Sequence, residues 1–61
     1  MFKMIFTVSK NESFNVFRNT LYECINFIDE LDDVLRVDIY ENDIHVLFSI
    51  VTNEGRRWYT V

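Results

Sequence analysis

The sequence contains no proline, no alanine and no glutamine, and only one glycine, one cysteine, one histidine and one tryptophan. With Gly55 as the single residue free of a Cβ, turns must be built from Asn, Asp and Ser chemistry. The lone Cys24 excludes an internal disulfide and any multi-cysteine zinc site. Long apolar runs are also missing. The longest mostly apolar stretch, Ile44 to Val51, is interrupted by His45 and Ser49 and falls far short of the ~20 residues a helical membrane span needs. Near the start, Lys3 is not followed by a continuous apolar region and a small-residue cleavage site, so no signal peptide is expected. A cytoplasmic setting is the corresponding expectation. Cationic excess is absent as well: six Lys+Arg stand against ten Asp+Glu, for a net charge of −4. Phosphate-driven nucleic-acid binding needs the opposite balance.

What is present is a globular composition of 61 residues, 49% hydrophobic and 26% charged, enough for one domain over residues 1–61. Six asparagines in a chain without Ala or Pro point to AT-rich coding, as in a low-GC bacterium or a phage.

Residues 2–8 alternate as a strand, with Phe2, Met4, Phe6 and Val8 on one face and Lys3, Ile5 and Thr7 on the other. Phe14, Phe17, Leu21, Cys24, Ile28 and Leu31 then recur at spacings of three and four. That stripe predicts one long amphipathic helix over 12–32, capped by Ser9 with Glu12 or by Ser13. Period two returns over 34–40, where Leu35, Val37 and Ile39 are expected inward. It continues over 44–51, with Ile44, Val46, Phe48 and Ile50 inward, and over 56–61, with Trp58 and Thr60 inward. Glu41-Asn42-Asp43 and Thr52-Asn53-Glu54-Gly55 supply the turns. The expected class is α+β in the order β-α-β-β-β, with the helix packed on one face of a four-stranded, mostly antiparallel sheet.

No constellation points to catalysis. His45 is expected on the outer sheet face without an acid-base partner in a cleft, and Cys24 sits in the apolar stripe as a packing thiol. A non-enzymatic chain without cofactor or metal is therefore expected. The carboxylates lack the alternating Asp/Asn pattern and central Gly of a calcium loop.

Two surfaces invite contact. Asp29, Glu30, Asp32 and Asp33 crowd the helix end, where they oppose the macrodipole, so helix propensity does not explain them. They are the candidate patch for a basic protein partner. The outer sheet face is expected to carry Ile5, Tyr40, Leu47, Val51 and Tyr59, too apolar for a face turned only to water. Those five residues are the candidate homodimer core.

In composition the chain resembles small phage or mobile-element proteins that bind and disable a host protein. That resemblance implies an inhibitor or adaptor, aimed at a nucleic-acid-handling enzyme or a defence protein. The alternative is a small nucleic-acid-binding or regulatory module using Arg36, Arg56, Arg57 and Tyr59.

Overall fold

A computed structural model describes residues 1–9, 12–31 and 34–61. Its elements are β1 (Phe2–Ser9), β2 (Glu12–Arg18), α1 (Leu21–Asp29), β3 (Arg36–Glu41), β4 (Ile44–Thr52) and β5 (Gly55–Thr60). All five strands join one antiparallel sheet in the order β2-β1-β3-β4-β5. The four-stranded sheet and the long helix over 12–32 are thereby corrected. Residues 12–18 form a strand, and the helix is nine residues long.

The reason lies in a segment that satisfies two periods at once. Phe14 and Phe17 fit a helical stripe, but Phe14 and Val16 also alternate with Ser13 and Asn15. Aromatic and β-branched residues favour the strand, and asparagine disfavours the helix. Helix initiation moves to Thr20, whose Oγ1 accepts from the Glu23 N–H at 3.1 Å. The hydroxyl also donates to Glu23 Oε1 at 3.2 Å. Thr20 and Glu23 have the spacing of a capping box, of which the bond from the Glu23 N–H to the Thr20 hydroxyl is formed.

The helix packs over β1 and β2 and buries Cys24 and Ile28. With Met4, Phe6, Val34, Val37 and Ile39 they form the core. Phe6 stacks on Phe14 at 4.9 Å and meets Phe27 edge-on at 5.7 Å. At ~1.5–3 kcal/mol per fully buried large side chain, this cluster supplies the main driving force for folding.

Strand β4 departs from its expected alternation at one point. Ile39 faces Leu47 but Tyr40 faces His45, so Val46 is an extra residue on β4. A one-residue bulge turns every later side chain to the other face. Leu47 and Ser49 consequently point to the helix side, opposite Ile39 and Val37, while Phe48 and Ile50 point away. The inward expectation for Phe48 and Ile50 is corrected by this bulge. Leu35, also expected inward, precedes β3 and is 55% exposed. Two of the turns follow their residue chemistry: Asn42 and Asp43 both adopt positive φ, at 50° and 69°, and Gly55 takes φ 108° at the end of the β4–β5 loop.

Candidate interaction face

The face away from the helix is a grid of cross-strand rows. One row runs Phe17, Lys3, Tyr40, His45 from β2 to β4. The next runs Asn15, Ile5, Asp38, Phe48, Tyr59, and the third runs Ser13, Thr7, Arg36, Ile50, Arg57. No other element of the described chain packs on this side.

Two sandwiches organise the grid. The Lys3 ammonium lies 5.2 Å from the Tyr40 ring centroid, and Tyr40 stacks on His45 at 4.7 Å. The Arg36 guanidinium lies 4.7 Å from the Phe48 centroid, and Phe48 stacks on Tyr59 at 5.2 Å. Each central ring therefore stands between a cation from one neighbouring strand and a ring from the other. Cation–π and stacked-ring contacts each contribute ~0.5–1.5 kcal/mol toward holding these side chains in place.

The charges on the face are largely matched internally. Arg36 Nε donates to both Asp38 oxygens, at 3.0 and 3.2 Å, and its Nη2 donates to Oδ1 at 3.0 Å. That bond to Asp38 raises the Arg36 pKa further above its ordinary value. His45 Nε2 lies 2.9 Å from the same Asp38 Oδ1, a charge contact for a protonated imidazole, without the alignment of a ring N–H hydrogen bond. Arg57 is paired with Glu54. At one corner a depression of about 290 Å³ is lined by Met1, Lys3, Phe17, Tyr40, Asn42 and Asp43.

Of the five residues expected to self-associate, Ile5, Tyr40 and Tyr59 share this face. Leu47 and Val51 have the opposite parity, set by the β4 bulge, so the five do not form one surface. Phe17, Phe48 and Ile50 join the face instead. Phe17 was hidden by the helical reading of 12–18, and Phe48 and Ile50 by the unbulged reading of β4.

Arg36, Arg57 and Tyr59 of the alternative set lie on the face, whereas Arg56 does not. Arg56 turns to the helix side, where Nη2 donates to the Val34 carbonyl at 2.7 Å and Nη1 to Ser49 Oγ at 3.0 Å. Ser49, fully buried, donates in turn to the Arg57 carbonyl at 2.8 Å.

Asp29 and Glu30 are exposed at the C-terminal end of α1, which has no basic residue in its last turn. Asp32 and Asp33 lie outside the described residues. Cys24 is fully buried, and burial pushes its thiol pKa up, with nearby Arg18 partly opposing the shift. Among the described residues no group of three or more His, Cys, Asp or Glu side chains is placed to hold a metal ion, and no helix is long and apolar enough to cross a membrane. No protein family, curated protein or solved structure matches the chain.

Proposed function

We propose that the chain is a non-enzymatic protein-interaction module that docks a partner protein on its helix-free sheet face. The observation that carries this reading is the pair of cation–ring–ring sandwiches on a face that no described element covers. Tyrosine and arginine are the residues that dominate interface energetics, and pre-ordered rings lower the entropy lost on binding.

The same geometry weighs against a platform for single-stranded nucleic acid. Base stacking needs exposed ring faces. Here the faces of Tyr40 and Phe48 are taken up by Lys3, His45, Arg36 and Tyr59, which leaves ring edges outward. Two of the cations are also matched to Asp38 and Glu54.

On the far side, exposed Asp29 and Glu30 add a negative end that draws in a partner with basic surface. A basic, nucleic-acid-handling host protein, inhibited or recruited by a small phage-type chain, suits the acidic helix end, while the sheet face supplies the ring contacts.

The test compares the wild-type chain with the double variant Tyr40→Ala, Tyr59→Ala. Immobilised wild type should retain a specific protein from a lysate of its native host, and the double variant should lose it, each ring contributing ~2 kcal/mol or more at a hot spot. Fluorescence anisotropy with an oligothymidylate probe supplies the opposing arm. Retention unaffected by the double substitution, or oligonucleotide binding that falls steeply with salt, overturns the reading.

A further inference from the structure

Strand β2 is an open edge of the sheet, and it lacks the usual protection. It has no proline and no lysine, and its only charges are Glu12 at one end and Arg18 at the other. Phe14 and Phe17 between them are 44% and 53% exposed.

The direction of its free peptide groups follows from the β1 ladder. The Thr7 carbonyl accepts from the Leu35 N–H at 2.9 Å, so the Thr7 peptide groups turn toward β3. Peptide direction alternates along a strand, so Phe2, Met4 and Phe6 turn toward β2, where they face Arg18, Val16 and Phe14. The peptide groups of Ser13, Asn15 and Phe17 are left pointing off the edge. Consistent with this, the Phe17 carbonyl takes its hydrogen bond from Arg18 Nη1, at 2.7 Å, rather than from a neighbouring strand.

This edge is complementary to itself. Laid antiparallel against a second copy about a twofold axis at Asn15, it sets Glu12 opposite Arg18 of the copy at both ends. Phe14 then meets Val16 of the copy on the helix side, and the outward peptides of Ser13 and Phe17 face each other. Parallel pairing would instead set glutamate against glutamate and arginine against arginine. We propose that the chain dimerises by antiparallel pairing of β2 with β2 of a second copy, centred on Asn15, giving one continuous ten-stranded sheet. In the dimer the Ser13 N–H of the copy replaces Arg18 at the Phe17 carbonyl, and the guanidinium, which also lies 4.7 Å from the Phe27 centroid, turns its released Nη1 toward Glu12 of the copy. The docking face is extended across the seam rather than covered, so this proposal stands independently of the partner reading.

Sedimentation equilibrium tests it, with circular dichroism and Trp58 fluorescence as controls of the fold. Wild type should sediment at twice 7.4 kDa, and Asn15→Pro, which removes an outward N–H without touching the β1 ladder, should be monomeric and folded. Should the proline variant unfold, the charges decide. Glu12→Arg alone should weaken the dimer by ~10-fold or more through two like-charge contacts. Adding Arg18→Glu to that variant should restore it. A monomeric wild type overturns the proposal, as does a dimer indifferent to Glu12→Arg. A dimer that survives Asn15→Pro but dissociates with Tyr59→Asp would place self-association on the face and overturn the edge assignment.

Discussion

Arg56 and Arg57 are neighbours in sequence with opposite duties, and alternation along β5 separates them. Arg56 ties the Val34 carbonyl to Ser49, bridging the segment after the helix and the β4–β5 hairpin across the inner face. Among the described residues Arg57 holds only the exposed loop carboxylate of Glu54. Hydrogen bonds from a charged donor contribute ~1.5–3 kcal/mol, and removal of this one leaves a buried serine and a carbonyl short of a partner, so Arg56→Met should cost ~2–3 kcal/mol in urea unfolding. Arg57→Met should stay within ~0.5 kcal/mol of wild type, as exposed pairs do. Cys24 gives a second test. Its thiol keeps its proton longer in the folded chain than in the unfolded one, where the ordinary value is 9.0. Past pH about 9 the folded state therefore retains more protons than the unfolded one, and stability falls from there upward. Urea titrations across that range should show the decline in wild type, and Cys24→Ala should remove this component of it.

The strand β4 and the helix α1 show what their residues can specify and what they cannot. Leu47 faces the core side, so Leu47→Asp buries a carboxylate without a partner and should cost ~3 kcal/mol or more, enough to unfold a domain this small. Ile50→Asp should be tolerated, because its row places the new carboxylate between Arg36 and Arg57. Circular dichroism of the two purified variants separates these outcomes. Thr20→Ala should cost ~1 kcal/mol by loss of the helix cap. The sequence made β1, β3, β5 and the β3–β4 and β4–β5 turns legible, because period two and turn residues act locally. It also placed Met4, Phe6, Val37, Ile39, Cys24 and Ile28 inward, as found. The bulge at Val46 was not legible, since an extra residue is detected only against the partner strand that it fails to pair with. Strand β2 is not legible because Phe14 and Phe17 serve either period, and their stripe continues through Leu21 and Cys24 with no break at Thr20. The candidate face inherited both errors: it was recognised as apolar, but three of its members, Phe17, Phe48 and Ile50, were assigned elsewhere.

The molecule as a whole sets the carboxylates of its helix end apart from its ring sandwiches. Asp29 and Glu30 end a helix that packs over β1 and β2, while the two sandwiches stand on the opposite side of the sheet. Under the proposed docking reading, long-range attraction and close contact fall to different residues, and kinetics can tell them apart. Exposed charges act during approach, over a Debye length of ~8 Å at physiological ionic strength, and affect mainly the association rate. Packed rings act once the complex has formed, and affect mainly dissociation. In surface plasmon resonance with the captured partner, the double reversal Asp29→Lys, Glu30→Lys should slow association several-fold at low salt, with the difference fading as salt rises. Dissociation should be unchanged. Tyr59→Ala should leave association within about twofold and speed dissociation by ~30-fold, corresponding to the ~2 kcal/mol of a hot-spot ring. Equal effects of both changes on one rate constant would mean that partner contact reaches around the sheet edge to the helix end, and the separation of duties would fail.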